Sequence, residues 1–393
     1  MSIDDVVDAG ANAWDLYVGG GIAEIHPTPA AIVDEGPQRT VYRYLRRGSQ
    51  PSHATPLLLV PPLAAPAWCF DLRHGCSLAQ HLLARGYPTY VVDYGAISFS
   101  DRALGLEHWV DEVIPNAIEA VVRDSGRSEI QLVGWCLGGI MGLLAAAARD
   151  LPVRSVALIA SPFDFARVRM MAPIRRLASL TGGALGTTLY RMLGGAPAPL
   201  VSLGFRATAI DRYITKPIVL AQHLNDREWI AHAQAVDEYM ANMLAYPGRT
   251  FGQLYHQFFR VNELAGGTLE LGDHCIELSK IDVPVLTIGG KSDVLAPVDA
   301  VHHVGSLLPS SPDVRLETAP GGHLGVLTGR RAARSTWIFL DEFLADHDSG
   351  GRGGATESRP ARPRTARPVS ARRSRPRPSA GTAASRPRHS GRG

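Results

Sequence analysis

The sequence predicts an α/β fold, a doubly wound and mostly parallel sheet with a helical insertion. Two observations predict it. Short apolar runs alternate with segments of helical apolar spacing, the pattern of strands that return to one edge of a sheet through crossover helices. One run ends in Gly134-Trp-Cys-Leu-Gly-Gly and passes directly into the small helix formers Ile140-Met-Gly-Leu-Leu-Ala-Ala-Ala-Ala. That strand-to-helix reversal is tight enough to need glycine.

Residues 1–40 carry no regular pattern and read as a lead-in segment, reaching an antiparallel edge strand expected at 38–44. The first central strand is Leu57-Leu-Leu-Val. Residues 78–85 read as a helix stopped by Gly86, and residues 89–92 as the next buried strand. Residues 109–122 place apolar side chains at helical spacing before a strand at 130–133, and a strand at 155–159 follows the glycine-flanked turn and its helix. From 161 to 272 the rhythm stops, and Met-, Leu- and Ala-rich helical segments with the glycine pairs Gly182-Gly183 and Gly194-Gly195 read as a cap over the sheet. Strands at 283–288 and 314–318 resume the pattern, making 41–160 and 273–347 two halves of one core. Residues 348–393 form an Arg/Pro-rich tail.

The chain has 393 residues, 45% hydrophobic and 20% charged, enough for one large core and a cap. Its net charge of +3 averages two unlike regions. Residues 351–393 hold twelve Arg, one Glu and no Lys, which leaves residues 1–350 with a net charge of −8. The tail has too few large apolar residues to offset its ordering entropy and is expected to be disordered; by default it reads as a solvated, dispensable segment, with polyanion, granule-surface or partner binding as its functional readings. The body is acidic and shows no nucleic-acid module. No run of eighteen apolar residues occurs and the N-terminus is acidic, so a soluble, cytoplasmic protein without a membrane span is expected. Four cysteines without a C-x-x-C pair give no disulfide framework or zinc site. Cys69, Cys76 and Cys275 are read as structural.

Cys136 is different. Glycines two before and two after it remove the Cβ atoms that would clash in the reversal, holding the thiol at the tip of the turn. The Leu137 N–H lies at the mouth of the following helix, where unpaired donors favour a thiolate and an oxyanion. An isolated cysteine is more often a small core hydrophobe; strand, G-x-C-x-G-G and helix together favour a nucleophile. A nucleophile needs a base, and the base an orienting acid. Asp293 follows the strand at 283–288 in Gly289-Gly-Lys-Ser-Asp, and His323 follows the strand at 314–318 in Ala319-Pro-Gly-Gly-His. Alone, the first reads as a helix N-cap and the second as a loop histidine. In the order nucleophile, acid, histidine, each after a strand, they read as the triad of an α/β-hydrolase fold. Asp93, at the end of its strand, is an alternative acid. His302 and His303 sit consecutively on a helix and point apart. A second oxyanion donor is expected from Leu63 or Ala64, because Pro61 and Pro62 offer no N–H.

From about Pro27 to Asp346 the chain resembles the poly(3-hydroxyalkanoate) synthase family, and within it the shorter type that works with a separate helical partner subunit. The resemblance rests on Val60-Pro-Pro with Asp71-Leu72, on Asp93-Tyr-Gly and Asp101-Arg-Ala-Leu-Gly-Leu, and on Gly134-Trp-Cys-Leu-Gly-Gly. Further along it rests on Ile276-Glu-Leu-Ser-Lys-Ile-Asp-Val-Pro, Asp293-Val-Leu-Ala-Pro and Gly322-His-Leu-Gly-Val-Leu-Thr-Gly. It implies that Cys136 is acylated by a 3-hydroxyacyl-CoA, with His323 as base and Asp293 as its partner, that the acyl group joins a growing polyester, and that no cofactor beyond the CoA thioester is needed. The chain departs from the family at Ala65-Pro-Ala-Trp68, at Val294, where histidine is common, and in lacking a Trp-x-x-Asp element before Pro247. A cysteine hydrolase acting on a thioester, lactone or polyester would carry the same triad and stays open as the alternative. A helical partner subunit, a homodimer and a granule-surface location are the assembly expectations.

Overall fold

Leu57–Val60 and Ile130–Trp135 bury every side chain, as strands in the middle of a two-sided sheet must. In the computed structural model, which describes residues 3–26, 28–46, 54–172, 195–207 and 218–348, they belong to one eight-stranded sheet. Its strands are β1 (Ala30–Gly36), β2 (Arg39–Tyr44), β3 (Leu57–Val60), β4 (Thr89–Asp93), β5 (Ile130–Trp135), β6 (Val153–Ile159), β7 (Val285–Gly290) and β8 (Val314–Ala319). They lie in the order β1-β2-β4-β3-β5-β6-β7-β8. From β4 to β8 every pairing is parallel, while β1–β2 and β2–β4 are antiparallel. The carboxyl ends of β3, β5, β7 and β8 therefore share one edge, where α/β folds bind ligands.

Alternation along the strands makes two cores. Leu58, Val60, Leu132, Val156 and Leu158 face α3 (Ile114–Ser125) and α4 (Leu137–Ala148), packing with Ile118, Val121, Ile140 and Leu144. Leu57, Leu59, Val133, Ala157 and Ile159 face the other way, towards Leu78 and Leu82 of α2 (Leu78–Ala84) and Leu340 and Phe343 of the helix Thr336–Asp346. Helix α2 is capped by the Ser77 hydroxyl, and Gly86 follows its end with φ +95°. Helix α3 begins after a π-helical turn, His108–Val113.

The amino-terminal part differs from expectation. Residues 39–44 are an antiparallel strand but not an edge, because β1 lies outside them and pairs Gly36 with Arg39 across a tight turn. Mixed polar and apolar residues in β1 gave no clean alternation to read. A 15-residue helix, α1 (Ile3–Tyr17), precedes it where no regular element was expected. In the insertion, the described residues form the helices Ala198–Ala207, Arg227–Ala241 and Gly248–Gln253 and a small pairing of Gly195–Ala196 with Tyr246–Pro247. A hairpin of Thr268–Leu271 and His274–Glu277 spans the expected boundary at 272, turning at Gly272 with φ +62°. Gly182-Gly183 and the tail at 349–393 lie outside the described residues. Among those described, no helix is long and apolar enough to cross a membrane.

Candidate active site

Cys136 is the one residue between β5 and α4, held at φ 54° and ψ −125°. Such a backbone conformation costs a residue with a side chain about 1–3 kcal/mol. Its amide donates to the Ile159 carbonyl at 2.8 Å, tying the turn to β6. A Cβ on Gly134 would lie 2.6 Å from Gly139 N, and one on Gly138 would lie 2.5 Å from Pro61 O and closer still to Val60 O. The start of α4 is thus pressed against the loop that follows β3.

That loop carries Leu63 and Ala64, both buried, with Ala64 at φ 61°. The Tyr94 hydroxyl donates to Pro61 O at 3.1 Å, and the Ala64 carbonyl accepts the Leu244 N–H at 2.8 Å. The N–H groups of Leu63, Ala64 and Leu137 donate to no acceptor among the described residues, as donors for an oxyanion must in the free protein.

Asp293 and His323 are brought together by backbone. Lys291 N–H donates to Ala319 O at 2.8 Å and Ser292 N–H to Gly321 O at 3.0 Å, stapling the loop after β7 to the loop after β8. On this frame His323 Nδ1–H donates to Asp293 Oδ2 at 2.8 Å. The other carboxylate oxygen accepts the N–H groups of Leu295 and Ala296, each at 2.9 Å, and the side chain is fully buried. His323 is the first residue of a short helix, His323–Thr328, and its imidazole is 12% exposed. Burial pulls the His323 pKa down. Electrostatic interaction with Cys136, then the charge and hydrogen bond of Asp293 and a hydrogen bond to Cys136, outweigh it and raise the value to about 10. Asp93, the alternative acid, instead accepts the Gly95 N–H at 2.9 Å. His302 and His303 do point apart, to the carbonyls of Glu317 and Ala265. Cys69 and Cys76 are buried, whereas Cys275, read as structural, is exposed on the hairpin strand His274–Glu277. Its side of that strand faces solvent while Ile276 faces the core.

Sequence reasoning missed the aromatic wall. Trp135 Nε1–H donates to His323 O at 3.2 Å and its ring lies 5.1 Å from the imidazole. Tyr239, on the helix Arg227–Ala241, lies 6.4 Å from Trp135 and 5.0 Å from Trp68 between ring centres. Tyr246 packs with Cys136 against both cores. Burial, and after it the charge at nearby thiols including Cys136, raises the pKa of both tyrosines. Ala231, Ala235 and Tyr239 share the buried face of that helix at helical spacing, and the sequence reading of 161–272 as helical segments did not reach what that face covers. Among the described residues, no group of three or more His, Cys, Asp or Glu could hold a metal ion. A cysteine at a strained turn, a histidine bonded to a buried acid, and backbone donors without acceptors match the parts that acyl transfer through a covalent intermediate requires.

Curated relatives share most of the chain. The poly(3-hydroxyalkanoate) polymerase subunit PhaC of Haloferax mediterranei is 24% identical over 365 residues, covering 90% of this chain and 71% of that one. Its namesake from Allochromatium vinosum is 26% identical, covering 81% and 88%, and that from Synechocystis sp. is 24% identical, covering 86% and 88%. A family model described as the alpha/beta hydrolase fold matches residues 55–329, which include the turn at Cys136, Asp293 and His323; the chain belongs to the α/β-hydrolase fold family.

Proposed function

We propose that the protein is an acyltransferase that polymerises 3-hydroxyacyl groups from CoA thioesters, releasing CoA, through a thioester on Cys136. The observation that carries the reading is a cysteine at the strained strand-to-helix turn, in a chain whose His323–Asp293 pair stands at 2.8 Å and whose relatives are named as polymerase subunits. Cys136 Sγ, its proton taken by His323, attacks the thioester carbonyl. The Leu137 N–H and those of Leu63 or Ala64 stabilise the tetrahedral oxyanion. The C–S bond to CoA breaks, and the CoA thiolate leaves with the proton from His323. A new thioester of similar energy keeps the acyl group activated, which a serine ester would not. The 3-hydroxyl of a second unit then gives its proton to His323 and attacks, forming the ester and freeing Cys136. Both steps are redox-neutral and call for no cofactor beyond the thioester substrate. A cap over the centre serves this chemistry by keeping water from the intermediate.

A helical partner subunit, as the resemblance implies, and the surface of the polyester granule in the cytoplasm are the assembly and location that fit this reading. The arginine-rich residues 351–393 supply a contact for that surface or for a polyanion. The test incubates purified protein, with and without a candidate helical subunit, with short- and medium-chain 3-hydroxyacyl-CoA. Polymer with CoA release is expected. Stoichiometric free hydroxy acid under every condition would replace the synthase with a cysteine hydrolase.

A further inference from the structure

Tyr239 is 1% exposed, and its buried hydroxyl meets no nitrogen or oxygen partner among the described residues; the one group that hydrogen-bonds to it, weakly, is the Cys69 thiol. A buried hydroxyl so poorly satisfied is costly, and one beside a reactive centre points to a group the free protein lacks. Its surroundings locate that group. The ring packs edge-on to Trp68 and beside Trp135, and Trp135 immediately precedes Cys136 and lies against the His323 imidazole. Cys69 and Cys136 are the sulfur groups that act on the phenol, and the contact with Cys69 is a hydrogen bond to sulfur, a weak partner that an oxygen acceptor would outcompete. The Cys69 thiol is itself turned to Ala67 O at 3.6 Å. Burial keeps the phenol protonated at neutral pH, so the apolar wall beside the nucleophile carries one fixed donor.

We propose that the Tyr239 hydroxyl donates to the 3-oxygen of an acyl group held on Cys136, making Tyr239 the residue that selects 3-oxygenated acyl thioesters over unsubstituted ones. This rests on the acyl-transfer reading above. The third carbon is two bonds from the thioester carbonyl, so its oxygen stands close to Sγ, in the neighbourhood the phenol occupies. An unsubstituted chain fills the same space and leaves the phenol without an oxygen partner, the circumstance in which a buried polar site rejects an analogue most strongly. The backbone donors at Leu137 and at Leu63 or Ala64 serve the carbonyl oxygen, which leaves the phenol for a second oxygen.

The test compares the wild-type chain with Tyr239→Phe, using 3-hydroxybutyryl-CoA and butyryl-CoA. CoA release and the mass of acylated Cys136 are followed in a single turnover, before any question of polymer or hydrolysis arises. The ratio of the two acylation kcat/KM values is expected to fall about 10- to 100-fold in the variant. Its melting temperature should equal or exceed that of the wild type, because only a weakly paired hydroxyl is lost. An unchanged ratio, or a marked fall in melting temperature, overturns the proposal; the second would show that the hydroxyl has a strong partner within the protein. If neither thioester acylates Cys136 in the wild-type chain, the acyl-transfer reading fails and this proposal falls with it.

Discussion

Replacing Gly138 by alanine tests whether the loop after β3 is held in place by the turn at Cys136. The added methyl would sit 2.5 Å from Pro61 O and 2.6 Å from Pro61 C, roughly 1 Å inside an ordinary van der Waals separation. Both atoms are backbone, so no side chain can rotate away. Overpacking of this kind costs about 1–3 kcal/mol, and loss of a helical glycine returns about 0.5–1 kcal/mol. Gly138→Ala should therefore destabilise the protein by up to about 2.5 kcal/mol, towards the upper end because the clash is with backbone. The rate should suffer more than the fold. The loop that must yield carries Leu63 and Ala64, and a displacement of about 1 Å in a positioning group can cost about 100-fold.

Gly142→Ala, one turn later in the same helix, is the control. Its methyl would meet only Leu132 Cδ1, at 3.9 Å, so it should stabilise the protein by about 0.5–1 kcal/mol. Thermal melts and single-turnover acylation by 3-hydroxybutyryl-CoA measure both variants. A Gly138→Ala protein that melts at or above the wild type and acylates at the wild-type rate would refute the argument that this loop is braced against α4 and supplies the donors.

Cys136→Ala should abolish acylation while leaving the fold intact, and Cys136→Gly should in addition raise stability by about 1 kcal/mol by relieving the positive φ; acylation of either variant at another residue would displace Cys136 as nucleophile. Asp293→Asn should slow acylation by up to about 10⁴-fold through the wrong imidazole tautomer and lower the His323 pKa, because Asp293 is one of the two partners that raise it to about 10. The imidazolium's attraction to its partners is complete below its ordinary pKa of about 6.5 and is lost as pH climbs through about 10. The alkaline limb of the acylation profile should thus move to lower pH in Asp293→Asn; an unmoved limb, or a larger effect from Asp93→Asn, would unseat Asp293. Removing residues 351–393 should leave the melting temperature and acylation of soluble thioester as they are, since this segment has little apolar surface to add to a core, and should remove a steeply salt-dependent affinity for polyanions or granules. A clear drop in melting temperature would show that the tail packs on the body.

The turn at Cys136 was legible because its requirement is local. Six residues carry the whole steric demand, and the backbone distances at Gly134 and Gly138 show why no side chain fits there. Asp293 and His323 were legible for another reason, since a parallel sheet returns each strand to the same edge and fixes the order in which its loops arrive. Neither kind of rule reaches β1, whose Asp34 and Glu35 interrupt the apolar pattern and whose edge position leaves one side unpaired. It also does not reach the meeting of Trp135 with Tyr239, although the first lies in the turn motif and the second in the insertion read as helical. Their meeting joins residues about a hundred positions apart through ring packing alone, and apolar spacing says only that such faces are buried.

Those two kinds of assembly have different consequences for the chemistry. The proposed nucleophile, acid and base hang on backbone bonds, from Cys136 N to Ile159 O, from Lys291 N to Ala319 O and from Ser292 N to Gly321 O. None of these involves a side chain, so changing Cys136 or Asp293 removes a functional group from a frame that stays assembled, and a lost rate reports chemistry. Tyr239 comes instead from the insertion, and its ring meets the turn through Trp135 and Trp68. Side-chain packing of that sort can be altered at Tyr239 without touching those three backbone bonds. The group proposed to choose the acyl chain is thus held by interactions of another kind from those that hold the groups proposed to transfer it. Substitutions along the buried face of Arg227–Ala241 should accordingly change which thioester is accepted before they change how fast a good one reacts.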